Sequence, residues 1–321
     1  MLFHRDPRWL GADAAFSVDL GGDRILWLFG DSFIATSDAH VRRASHMVRN
    51  SIAIQRGRDP SRAEIDFFWK PGPASWLAEQ GETWFWPQHG LRIPGGPLIL
   101  FWSRLHATPG QGLGFMAEGW VCVAIDNPDE SPEAWVPRRL EPGRFPAGIL
   151  PAQGLMLEGD QVLGLAIREP GDHAGFGLRI VAAALARGDL EQLELWDGHW
   201  TRASDCSAPR AILADAAPES SLHLDRKLGR YVHLRSLGFG ATTLALETAE
   251  QWIGPWSAPV EVYRPPESDR SGAFVYAGKA HPELEGADIV ATYASNSFDF
   301  ATLVADASLY YPRFVRITIL R

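Results

Sequence analysis

The chain has little cysteine, no basic run and no long apolar stretch, and each absence closes off a class of function. Two cysteines, Cys122 and Cys206, stand far apart in 321 residues, outside any CxxC or metal-ligand pattern. They read as free core thiols. Lysine and arginine number 30 against 39 aspartate and glutamate, a formal net charge of -9. With no basic stripe, nucleic acid is not an expected partner. No run of about 18 apolar residues occurs, so no membrane span is expected. The opening MLFHRDPRWLGADAA lacks the basic start and apolar core of a secretory signal. A cytoplasmic location is therefore expected, or a secreted one if a leader has been removed. No serine sits in a G-x-S-x-G setting, and GLGFMAEG and GFGATT lack the lysine of a phosphate loop. No paired histidine or acid spacing points to a transition metal. No metal or other cofactor is expected, with a calcium ion or water cluster in a channel left open. Long amphipathic helices are also scarce. The best candidate, Ile180 to Leu195, is interrupted by Gly188-Asp189.

What is abundant is tryptophan, glycine and proline: 13, 31 and 23 residues, with short apolar runs between them. That combination predicts many strands and turns. The clearest stretch is DAAFSVDLGGDRILWLFGDS, Asp13 to Ser32. Phe16, Val18 and Leu20 alternate with Ser17 and Asp19. Gly21-Gly22-Asp23 turns the chain, and Ile25 to Phe29 runs apolar, as a strand covered on both faces does. Antiparallel pairing brings Asp13 and Asp31 to the same end of this hairpin.

The hairpin recurs. Turns are expected at Gly21-Gly22, Gly95-Gly96, Glu158-Gly159-Asp160, Asp225 to Gly229 and Glu285-Gly286. The first strands would then start near Asp13, His89, Gln153, Glu219 and His281, spaced by 76, 64, 66 and 62 residues. Five further alternating segments read as outer strands leading towards anchoring aromatics: SIAIQ, VCVAID, LRIV, TTLALE and the terminal RFVRITIL. Five such units, each somewhat longer than a common propeller repeat, predict an all-β five-bladed propeller with four-stranded antiparallel blades in one domain, residues 1–321. Two β-sandwich domains are the rival architecture. Ring closure would need an N-terminal strand beside Arg313 to Ile319, and Phe3 to Trp9 is too short and irregular to assign.

In a propeller the innermost strands line a central channel. On this register the ring at one mouth holds Asp13, Gln88 or His89, Gln153, Glu219 and His281. A solvated structural channel tolerates the same residues. Two carboxyl groups facing each other can hydrolyse a glycoside, one protonating the leaving oxygen and the other activating water. Glu219, between Pro218 and the Ser220-Ser221-Leu222 run, suits a desolvated acid. Asp13, in an open polar stretch, is expected to stay ionised as the base. Asp31 is a third acid, or a turn residue bonding local backbone. Asn50 and Asn296 are candidate channel lining, Asn50 alternatively satisfying backbone at a strand end. Among the tryptophans near that mouth, Trp86 is the first candidate to stack on sugar, although most tryptophans must be core.

The stretches DAAFSVDLGGDRILWLFGDSF, MVRNSIAI, WFWPQHG, PESSLHLDRKLGRYVHL, LETAEQWIGPWS, YAGKAHPEL and ATYASNS together resemble one family. It is the uncharacterised-domain propellers whose characterised members include endo-D-arabinanases, similar in turn to the five-bladed arabinanase, xylosidase and invertase hydrolases. The resemblance implies a blade-one aspartate as base, matching Asp13, and a later glutamate as acid, matching Glu219. It implies a carbohydrate partner and cleavage of an arabinan-like furanose glycan, with inversion as the expected outcome. A second-blade acid of that group has no match, since Gln88 and His89 stand there. A noncatalytic glycan-binding or scaffold propeller is the reading from another class. An intracellular enzyme acting on a small glycoside or a cyclic sugar derivative is a third.

Overall fold

In the computed structural model, residues 2–319 are described. Five antiparallel sheets follow one another along the chain as the blades of a five-bladed β-propeller. The first sheet contains β1 (Trp9–Gly21), β2 (Arg24–Ala35), β3 (Ser45–Val48), β4 (Ser51–Arg56) and β5 (Glu64–Phe68). The second contains β6 (Trp84–Arg92), β7 (Leu98–Ala107), β8 (Phe115–Ile125) and β9 (Arg138–Leu140). The third has β10 (Ile149–Glu158), β11 (Gln161–Arg168), β12 (Gly175–Val181), β13 (Glu194–Trp196), β14 (Trp200–Arg202) and β15 (Ala211–Leu213). The fourth has β16 (Ser221–Asp225), β17 (Arg230–Ser236), β18 (Leu244–Ala249) and β19 (Val260–Tyr263). The fifth has β20 (Phe274–Ala280), β21 (Ile289–Asn296) and β22 (Arg313–Ile317).

All five expected hairpin turns fall between the first and second strands of a sheet. The segments read as outer strands are instead third strands, β4, β8, β12, β18 and β22. In the first, second and fourth sheets one further short strand pairs with them and takes the edge, and in the third β13 and β14 follow β12 while β15 also pairs with it. The fifth sheet has three strands among the described residues. No N-terminal strand joins it. Leu2–His4 is a 3-10 turn, and Phe3 is buried among Trp9, Trp27, Phe29 and Phe314. The helical candidate at Ile180 to Leu195 is divided: β12 ends at Val181, α1 (Ala182–Arg187) makes one and a half turns, and Gly188 at φ 79° stops it. A second short helix, α2, spans Phe300–Ala305. No helix among the described residues is long and apolar enough to cross a membrane.

The chain divides into two compact units. One comprises Met1–Glu79, Leu234–Leu246 and Pro259–Arg321, the other Gln80–His233 and Glu247–Ala258. The first has an aromatic core. Trp9 stacks on Phe67 at 4.5 Å, and Phe3 stacks on Phe314 at 4.9 Å. Its buried indoles keep their N–H groups satisfied, Trp9 donating to Ser51 and Trp27 to Gln55. The second unit has a mainly aliphatic core built from β7, β8, β10, β11 and β12, with Cys122 and Cys206 as buried free thiols.

The first strands share one irregularity. Pairing slips beside Asp13 in β1, between Pro87 and Gly90 in β6, between Leu150 and Gly154 in β10, and between Tyr276 and Lys279 in β20. At three of these places an alanine adopts a left-handed backbone: Ala14 and Ala15, Ala152, and Ala277. Just before β16, Glu219 does the same at φ 60°. A bulge of this kind re-aims one side chain out of the ladder. The fifth of these strands ends before His281, so the register expected there is corrected. The station comparable to Asp13 lies at Tyr276–Lys279, upstream of the hairpin turn that set the expected numbering.

Candidate active site

The first unit builds a closed setting for Asp13. Ala12 pairs with Ser32 and Ala14 with Phe29, which leaves Asp13 opposite Gly30 and Asp31, as the hairpin predicts. Gly30 of the FGDS stretch is required for space: a Cβ there would collide with Asp13 Oδ1. Tyr276 donates its hydroxyl to Asp13 Oδ2 at 2.6 Å, and Tyr310 contributes a second hydroxyl. Asn296 Nδ2 donates to the Tyr276 hydroxyl at 3.3 Å. Lys279 is buried, and its ammonium donates to the carbonyls of Ala14 and Ala277. One cation thus ties together two left-handed bulges, one on β1 and one on β20.

Asp13 is therefore not the open, solvated carboxylate that its polar flanks suggest. Burial pushes its carboxyl above the usual range, while the tyrosine hydroxyls and the Lys279 charge pull the other way without cancelling the shift. Asp31 pairs with Arg49 at 3.2 Å, closer to solvent.

The second unit places its polar residues along three adjacent first strands. The His89 Nδ1 accepts from the Leu155 N–H at 3.2 Å. The Gln153 Oε1 accepts from the Glu219 N–H at 3.0 Å. Gly154 lets the next strand approach, because a Cβ there would stand 2.9 Å from the Leu222 nitrogen. Behind Glu219, the buried His233 donates Nε2–H to the Ala216 carbonyl at 3.1 Å and meets Glu247 at 2.9 Å through Nδ1. This holds the Ala216 carbonyl, three residues before Glu219. A left-handed glutamate costs roughly 1–2 kcal/mol, so its retention marks a constrained site. Gln88 is 1% exposed, and neither amide atom has a hydrogen-bond partner among the described residues. His223, on β16, is buried and its pKa is lowered to about 4 by desolvation.

The remaining predicted residues are placed as follows. Asn50 gives its amide to the Leu77 carbonyl and accepts from the Leu77 N–H, at 3.0 and 2.7 Å. That is the strand-end backbone role weighed for it. His281 engages both ring nitrogens, with Ser17 at 2.5 Å and Thr292 at 2.7 Å, inside the first unit. Trp86 is half-buried with its ring edge-on to Phe115 at 4.6 Å. Of the ring Asp13, Gln88 or His89, Gln153, Glu219 and His281, the first unit holds Asp13 and His281 and the second holds Gln88, His89, Gln153 and Glu219, while Asp31 and Asn296 lie in the first unit with Asp13. Sequence reasoning missed Tyr276, Tyr310, Lys279 and the His233–Glu247 pair. Lys279 carried a signal, since it is a lone cation in the small, apolar segment AGKA. Among the described residues no group of three or more His, Cys, Asp or Glu side chains could hold a metal ion.

Three comparisons bear on this arrangement. The model of a domain of unknown function, DUF5005, matches residues 1–150. No curated protein matches the chain in sequence. Among solved structures, a Bacteroides ovatus protein provisionally assigned as a hydrolase superposes with a TM-score of 0.73 at 16% identity, over 98% of this chain and 87% of that one. A family-43 arabinoxylan arabinofuranohydrolase from Bacillus subtilis, solved with cellotetraose, gives 0.52 at 13% identity, over 99% and 67%. The family-62 α-L-arabinofuranosidase catalytic domain of Coprinopsis cinerea gives 0.50 at 9%, over 92% and 87%. At these identities the likeness is one of fold: the propeller is the architecture that glycoside hydrolases of these two families use.

Proposed function

We propose that the chain is a glycoside hydrolase of the propeller kind, acting on a furanose-containing, arabinan-like glycan. The observation that carries this reading is the Asp13 carboxyl, held over a required glycine by Tyr276 and Tyr310, with the Lys279 charge close behind. Fixed donors around a half-buried carboxylate are what a water-activating base needs for its orientation. In the proposed step a water oxygen attacks the anomeric carbon and Asp13 takes the water proton. The bond from that carbon to the leaving oxygen breaks as Glu219 supplies the leaving oxygen with a proton. Asp31 supports the base. Attack from the face opposite the leaving group inverts the anomeric centre.

The test is a panel of furanosides and arabinan fragments with wild type, Asp13→Asn and Glu219→Gln. Both variants should lose more than about a hundredfold in kcat/KM at unchanged circular dichroism. Glu219→Gln should lose least on 4-nitrophenyl leaving groups, which need no proton. Proton NMR of the first-formed sugar reports inversion or retention. Full activity in Glu219→Gln on unactivated substrates would remove the assignment.

One observation favours the noncatalytic glycan-binding reading. Burial raises the Asp13 pKa and two tyrosines occupy its oxygens, as suits a carboxyl kept for binding. Glycan binding by wild type without product, weakened in Asp13→Asn, would select it.

A further inference from the structure

Exposed aromatic rings on the first unit collect in one place. Phe239 is 52% exposed and Phe298 is 72% exposed. Phe239 stands at the tip of the β17–β18 turn, between Gly238 and Gly240, both left-handed. Phe298 follows the end of β21. The two rings approach to 6.0 Å and both pack on Phe274, at 4.7 and 4.3 Å. Phe274 and Phe239 in turn lie 5.5 and 5.6 Å from Tyr276, whose hydroxyl donates to Asp13. Phe239 and Phe298 thus present exposed rings packed on the buried Phe274, and this cluster meets Tyr276 of the Tyr276–Asn296–Asp13 hydrogen-bonding group.

Exposed rings in a contiguous patch mark a binding surface rather than a core. These three phenylalanines carry no polar handle. Rings that bind sugars alone commonly belong to tryptophan or tyrosine, whose N–H or O–H serves the wet end of the ligand. Here the hydrogen-bonding group of Tyr276, Asn296 and Asp13 adjoins the rings through Tyr276. A matching ligand is itself two-ended, with hydroxyls at one end and hydrocarbon at the other.

We propose that Phe239, Phe274 and Phe298 form a subsite for an apolar leaving group, so that the preferred substrate is an alkyl or aryl furanoside. Its sugar lies at Asp13 and its aglycone lies across the exposed rings of Phe239 and Phe298, which Phe274 supports. This rests on the hydrolase and furanose parts of the reading above and replaces its glycan leaving group with an apolar one. The reaction stays a hydrolysis, with water adding to the anomeric carbon and the aglycone leaving as its alcohol or phenol.

The experiment compares methyl, octyl and phenyl furanosides, each below its micelle concentration, as substrates for wild type, Phe239→Ala, Phe298→Ala and the double variant. Octyl and phenyl glycosides should exceed the methyl glycoside by about tenfold or more in kcat/KM. The double variant should bring that ratio close to one and leave the methyl rate unchanged. Both side chains are exposed, so folding should not suffer, which circular dichroism checks. Equal rates on octyl and methyl glycosides, or a ratio that survives the double change, overturn the subsite while the hydrolase reading stands. Calorimetry of octyl glycoside binding to Asp13→Asn separates the two ideas. If wild type turns over nothing, binding that is lost on adding the phenylalanine changes still supports the subsite, and absence of binding overturns it.

Discussion

In one compact unit a carboxylate is fixed through its own oxygens: Tyr276 and Tyr310 donate to Asp13, and Lys279 holds the bulge that presents it. In the other, Glu219 is placed through its main chain. Gln153 takes its N–H, and His233 takes the carbonyl of Ala216, three residues before it. The first arrangement sets both position and proton affinity. The second holds the main chain from which the Glu219 side chain extends. A base has to be ionised and aimed before water arrives, whereas an acid has to follow the leaving oxygen as the bond lengthens.

The comparison is broken most severely at Lys279. Lys279→Met leaves the Ala14 and Ala277 carbonyls without their donor, which should cost about 2–4 kcal/mol in denaturant unfolding. Because the Lys279 charge pulls the Asp13 pKa down, its loss should also move the acid limb of the activity profile to higher pH. An unmoved limb would detach Lys279 from Asp13. Next in size is Gly30→Ala, which pushes the carboxyl off its seat. A loss of about a hundredfold in kcat with KM little changed is expected, and equal losses through KM would instead mean disturbed binding.

Smaller still is the main-chain support. Gln153→Ala and His233→Phe should each lower kcat about tenfold with no shift of the acid limb, which distinguishes them from changes around Asp13. If either moves that limb, the division between side-chain and main-chain support fails.

A last contrast between the two units is read through stability and its pH dependence. His223, in the second unit, has its pKa lowered from 6.5 to about 4 by burial. Its neutral form belongs to the folded state, so its contribution is complete above pH 6.5 and is lost as pH falls towards 4, at most about 3 kcal/mol. Glu283, in the first unit, has its pKa raised from 4.5 to about 7 by burial. Its contribution is complete below pH 4.5 and is lost as pH rises through 7. Between pH 4.5 and 6.5 the two slopes oppose each other. His223→Leu should flatten the loss of stability on the acid side and Glu283→Gln the loss on the neutral side, read from urea midpoints at several pH values. Parallel slopes in the two variants would contradict this.

Much of the fold was legible because turn chemistry is local. Glycine pairs and Asp-to-Gly turns announce hairpins, and all five lie where first and second strands meet. Alternation with a period of two located the third strands. It could not show where a strand carries one residue too many. The bulges at Ala14, Ala152 and Ala277 are therefore invisible in the pattern. His281 was assigned a station that belongs to Tyr276 and Lys279, because the turn was counted from the wrong side of the bulge. Asp13 was recognised for its residue type and place, but its enclosure comes from Tyr276 and Tyr310, more than 250 residues away. The His233–Glu247 pair is likewise a contact between separate strands that no spacing records.

The alanine bulges have a consequence for redesign. A residue set beside a left-handed neighbour has left the strand ladder, so exchanging it asks nothing of the pairing on either side. Positions 13 and 153 can then be varied on a constant frame. A library confined to those two positions should return folded proteins at a rate that equally many changes within β2 or β7 could not match.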